Sequence, residues 1–151
     1  MSLNIRYLLG IALVTSWFLT NAYLAQFENK MFGDELQTSY GKFHTWSTPL
    51  MKKFSYTRSL KLPDPTFFTP FKYKIALGFS YLYFIASVGL LCGVRGFTYI
   101  LILVHIVQSV LMDNPQVTTT QNDYDIKMRA LMFDACLLAV LIMINGIRTK
   151  K

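Results

Sequence analysis

IALGFSYLYFIASVGLLCGVRGFTYILILVHIVQSVLM, residues 75–112, carries a single formal charge, Arg95. Gly93-Val94-Arg95-Gly96 divides it into two apolar blocks, Ile75–Cys92 and Phe97–Met112. Neither block alternates apolar and polar residues in steps of two, so neither reads as a half-buried strand. An α-helix rises about 1.5 Å per residue, which brings blocks of this size close to the roughly 30 Å of a hydrocarbon core. Thr69-Pro70 offers a capping hydroxyl and a proline suited to a first helical turn, so the first helix of the pair starts near Phe71. So short a connection makes the two helices an antiparallel hairpin.

Outward from this hairpin, Tyr7–Phe27 contains no charge, and Ala130–Ile147 contains one acid, Asp134, before the basic end Arg148, Lys150 and Lys151. The chain is 53% hydrophobic and 15% charged, against about 25% charged in soluble domains, and this argues against a water-soluble enzyme. Only helices or closed barrels span lipid, and the missing period-two alternation excludes the barrel. The sequence therefore predicts an all-α membrane protein. Its four transmembrane helices, at about 7–27, 71–92, 97–112 and 130–147, form one membrane domain over residues 1–151, arranged as a bundle. The first helix is expected to be retained rather than cleaved, and it lacks the Arg-rich, Ser-rich amphipathic character of a transit peptide. Four spans put both termini on one side, the terminal side, opposite the loop side.

The segment 28–70 is expected to be a long interfacial loop, and 113–129 a shorter, solvated one. Phe43, Trp46, Leu50 and Phe54 recur at helical spacing beside Lys42, Lys52 and Lys53, as in an amphipathic piece, but Pro49 is expected to split it into two shorter helices. Phe43, Trp46 and Phe54 are assigned to a partner-subunit contact, with Trp46 as anchor. The net charge of +7 points to anionic lipid headgroups, and no basic–aromatic pattern of a nucleic-acid module is present. The count of Lys and Arg favours the loop side facing inward, whereas their concentration near the helix ends favours the terminal side facing the cytoplasm or the mitochondrial matrix, and the second is preferred.

Ionisable residues inside apolar spans are costly unless paired, and His105 and Asp134 lie at depths that let them meet. The pair serves either as part of a proton or substrate path or as a structural hydrogen bond, and the structural role is favoured. Gln108 and Met112 share the His105 face, and Asn145 falls near the Asp134 face. Gly89 and Gly93 form a G-x-x-x-G, and Ala12, Ser16 and Thr20 a small-residue stripe, both read as places of close helix packing. Cys92 and Cys136 lack zinc or redox spacing. The second histidine, His44, lies outside the apolar blocks, so bis-histidine haem is not expected, and neither a cofactor nor a metal is assigned.

Arg6-Tyr7-Leu8-Leu9-Gly10 resembles the R-x-x-x-G that opens the first helix of the DoxX-like family of small four-helix membrane proteins. Ala86-Ser87-Val88-Gly89-Leu90-Leu91-Cys92-Gly93 resembles the Gly-rich end of that family's second helix, which runs straight into the third. The resemblance implies a quinone-linked or thiosulfate-linked membrane complex, an assembly role, or cargo export from the endoplasmic reticulum. The residues themselves offer no catalytic constellation. The expected function is a non-catalytic accessory subunit of a large membrane complex, most simply a respiratory or ATP-synthase complex of the mitochondrial inner membrane, in contact with other subunits and lipid.

Overall fold

The computed structural model describes residues 5–53, 61–94 and 96–149. Every regular element among them is helical: α1 Ile5–Phe27, α2 Asn29–Lys53, α3 Pro65–Phe68, α4 Lys72–Leu91, α5 Gly96–Met112 and α6 Gln121–Thr149, with one 3-10 turn at Pro115–Val117. Four stretches, within α1, within α4, from α5 through the 3-10 turn, and within α6, are long and apolar enough to cross a membrane.

The core follows from helical spacing. Ala76, Ser80, Tyr83, Ser87 and Leu90 are buried at steps of four and three, a seam that stays on one face of α4. Ile11, Val14, Phe18, Ala22 and Ala25 do the same on α1. The two helices run antiparallel: Ser80 Oγ donates to the Ala22 carbonyl at 2.6 Å, and one turn further along Phe18 stacks on Tyr83 at 5.4 Å. Small side chains at Ala22, Ala25, Ala76 and Ser80 bring the backbones close. The stripe expected to do this, Ala12, Ser16 and Thr20, is exposed instead, and its hydroxyls bond carbonyls of their own helix.

Gly89 and Gly93 have separate tasks. A Cβ on Gly89 would sit 2.1 Å from Phe97 Cδ2, so the α5 ring lies directly on the bare backbone of α4. Gly93 adopts φ +83°, and Val94 N–H donates to Gly89 O while Gly93 N–H donates to Leu90 O, both at 3.0 Å. That is a Schellman cap, which needs a residue free to be left-handed and lets the chain turn straight into α5.

The expected long loop is largely helix. α2 begins one residue beyond α1, with Glu28 N–H bonded to Leu24 O and Phe32 N–H to Glu28 O. It continues through Pro49 to Lys53, so Pro49 does not split it. Pro49 lies four residues from the end of α2, where few hydrogen bonds follow it, and Thr48 Oγ1 donates to His44 O at 2.6 Å in that turn. Gly33, Leu36, Tyr40 and Ser47 form the buried face of α2, which packs on α4, α5 and the 3-10 turn. Lys72 Nζ meets Asp34 Oδ1 at 2.5 Å, Gln37 Nε2 donates to Thr69 Oγ1 at 2.9 Å, and Tyr40 OH donates to Pro63 O at 2.7 Å, fastening α2 to the entrance of α4.

α6 likewise starts earlier than expected, at Gln121 rather than Ala130, which shortens the second connection. Thr120 Oγ1 accepts from Asp123 N–H at 3.3 Å as an N-cap, and Gln121 bonds Asp125 one turn on, so this polar stretch is helical without being apolar. α6 packs against α5 and α1, with Trp17 edge-on to Phe133 at 4.9 Å. It buries the smallest share of its apolar stretch, 17% against 33–39% for the other three.

Candidate functional site

α5 carries His105 and Ser109 four residues apart, and Asp113, the residue after its end, continues that row with its N–H bonded to Ser109 O. All three meet Asp134 of α6. His105 Nε2 stands 3.3 Å from Asp134 Oδ1, within ion-pair range but off the line of a directed hydrogen bond. Ser109 Oγ lies 2.6 Å from Asp134 Oδ2 and 2.9 Å from His105 O. A hydroxyl has one proton, and the shorter, charge-assisted bond to the carboxylate takes it. Asp113 brings a second carboxyl to Asp134, with Lys127 as its counter-charge. Lys127 Nζ also donates to Met112 O, placing a cation on the carbonyl end of α5.

His105 is 4% exposed and Asp134 8%, so their partners are supplied by the protein. The His105 ring meets Phe18 edge-on at 5.3 Å, Phe18 stacks on Tyr83, and Tyr83 OH donates to Gln108 Oε1 at 2.5 Å. One chain of contacts thus links α6, α5, α1 and α4. Asn145, about three turns further along α6 and near the Asp134 face, donates from Nδ2 to Tyr99 OH at 2.8 Å. As α5 partners rise from Tyr99 through Ser109 to Met112, their α6 partners fall from Asn145 through Asp134 to Lys127, the order of an antiparallel pair.

The cluster joins α5 to α6: Ser109 donates to one oxygen of the Asp134 carboxylate while His105 faces the other. Ser109 and Tyr83 were absent from the sequence reading. The signal for Ser109 was its position one turn after His105, obscured because helical hydroxyls usually bond their own backbone.

The other expected residues lie apart from this cluster. Phe43 and Trp46 sit on α2, half-buried, with ring centroids 6.0 Å apart, and Trp46 borders a groove with Val117 and Thr118. Phe54 lies outside the described residues. Cys92 and Cys136 are free and exposed. Among the described residues, no group of three or more His, Cys, Asp or Glu side chains is placed to hold a metal ion.

Below the α2 clamp, Asp64 caps α3. The Thr66 hydroxyl first, and the Thr66 backbone N–H second, hold its carboxyl below the usual carboxylate range. Partial burial pushes the Tyr40 phenol up, with the charge of Asp64 adding to the effect.

No family model, no curated protein and no solved structure matches the chain.

Proposed function

We propose that this chain is an integral, multi-pass membrane protein that acts as a non-catalytic accessory subunit of a larger membrane complex, in contact with other subunits and with anionic lipid. The mitochondrial inner membrane, in a respiratory or ATP-synthase complex, is the favoured location, with the endoplasmic reticulum as the alternative. The observation that carries the reading is α6. Lys127, Asp134 and Asn145 are taken up by α5, while Met132, Ile142 and Met143 face outward along a helix whose apolar stretch is little buried. A helix pinned along one edge and apolar elsewhere suits lateral packing in a membrane. The test is purification of the tagged chain from mildly solubilised membranes, followed by native gels. Stoichiometric comigration with a large complex is expected, and migration as a small free species overturns the reading.

A second reading, a DoxX-like component of a quinone-linked redox or small-solute transport system, is favoured by the buried His105 and Asp134, 3.3 Å apart. Asp134→Asn keeps the shape and removes the charge. An unchanged rate of the host process rejects this second reading, and a loss of rate with assembly intact supports it.

A further inference from the structure

Where α2 crosses the entrance of α4 and the end of α5, the helices leave an apolar cavity of about 180 Å³. Leu36 and Tyr40 of α2, Phe68 of α3, Ile75 and Phe79 of α4 and Leu111 of α5 form most of its wall. An apolar cavity of roughly 150 Å³ stays dry and takes benzene, so this space suits a benzene-sized group or a similar volume of hydrocarbon chain better than water. Among the described residues that line it, Lys72 alone carries a charge, and Gln37 and Tyr40 bring the other polar groups.

Lys72 lies at the first residue of α4, where the membrane-length stretch begins. Its side chain is 19% exposed, and its partner Asp34 is 56% exposed, so Asp34 can turn to water and be replaced at the ammonium by another anion. A single cation beside a largely apolar wall is complementary to an amphiphile with a negative head and an aliphatic tail.

We infer that this cavity is a lipid site: it takes part of one acyl chain of an anionic phospholipid, whose phosphate meets Lys72. The inference rests on the membrane reading above and adds a defined site and ligand class to it. The headgroup end is at Lys72, and the chain lies between α2 and the α4–α5 pair. This makes α2 a cover over a bound lipid chain as well as a surface element.

The experiment uses the full chain, delipidated in detergent and titrated with palmitoyl-oleoyl phosphatidylglycerol or the phosphatidylcholine of the same chains, with bound lipid read by native mass spectrometry. The wild type is expected to bind one phosphatidylglycerol at least tenfold more tightly than phosphatidylcholine. Lys72→Gln should reduce that preference to within about twofold, and Leu111→Phe, which fills the cavity, should weaken both lipids at least tenfold. A milder filling variant at the other α5 residue of the wall, Val107→Ile, provides the same test with a smaller loss if Leu111→Phe does not fold. Equal binding by the wild type and the filled variants, or a headgroup preference untouched by Lys72→Gln, overturns the site. Alkaline carbonate extraction of native membranes separates the two levels. A chain that resists extraction but fails the lipid test loses the cavity site alone, and a chain that is extracted loses the membrane reading and the site together.

Discussion

Ser109 places its hydroxyl 2.6 Å from Asp134 Oδ2, joining α5 to α6 at a point where both side chains are buried. Because His105 faces the other carboxylate oxygen, removing the acid takes that oxygen from His105 and leaves Ser109 with the His105 carbonyl as acceptor. Polar contacts between membrane helices average about 0.6 kcal/mol and reach about 1.7. Asp134→Leu is therefore expected to lose about 1–2 kcal/mol. Asp134→Asn, which can still accept from Ser109, should lose less than about 1. SDS titration of the protein in mixed micelles measures both, and equal losses would remove the Ser109 bond from the account.

The two glycines of the G-x-x-x-G should respond differently. Gly89→Ala pushes a methyl into the Phe97 ring and is expected to cost about 1–3 kcal/mol, most of it recovered when Phe97→Val makes room. Gly93→Ala meets nothing within 4 Å but forces alanine to φ +83°, at about 1 kcal/mol. Phe97→Val should not rescue it. Identical behaviour of the two in this double-mutant comparison would contradict the separate roles.

The four apolar blocks were legible because charge is scarce in them, and α1, α4 and α5 begin and end within a few residues of where they were expected. α2 was not, since its buried face includes Gly33 and Ser47 and only two large side chains, Leu36 and Tyr40, too faint a stripe to outweigh Pro49. The first turns of α6 escaped for a related reason. Residues 121–129 are mostly polar, and lipid-compatible composition marks only the apolar part of a helix. At the cluster, His105 and Asp134 stood out as ionisable groups in apolar surroundings, whereas Ser109 and Tyr83 did not, because hydroxyls are cheap enough to occur in such helices without a partner elsewhere.

Asp64 gives a pH signature on the loop side. Its folded-state value is depressed, so its capping contribution is present above the ordinary aspartate range near pH 4 and is lost only as pH falls through the lower folded value. The Thr66 amide signal, followed by NMR, is expected to titrate below the midpoint of an unstructured aspartate. Thr66→Val removes the hydroxyl bond and should move that midpoint upward. A wild-type midpoint at the ordinary value would show that the cap is not formed.

Tyr40 tests the clamp on α2. Tyr40→Phe keeps the ring against Phe68, 4.5 Å away, but strips the proton from the bond to Pro63 O. The expected loss is about 0.5–1.5 kcal/mol, seen as faster amide exchange in α2 with exchange in α1 unchanged. A uniform rise in exchange across both helices would mean that α2 opens only with the whole molecule.

Trp46→Ala is expected to weaken assembly with a partner subunit by about 2 kcal/mol or more, the size of an interface hot spot, while the chain stays in the membrane. Measured complex occupancy decides it. Normal assembly of the variant would return the Phe43–Trp46 pair to lipid or to the fold itself.

Lys127, Asp134 and Asn145 are spaced by seven and eleven residues, close to two and three whole turns, and so fall on one line along α6. Each meets α5 at a different height. Turning α6 by the 100° of a single residue would break all three contacts at once. The helix is thus fixed in azimuth as well as in position. Any neighbour approaching from outside meets the same strip of side chains on every copy, so a substitution there reads out as present or absent from the contact rather than being averaged over orientations.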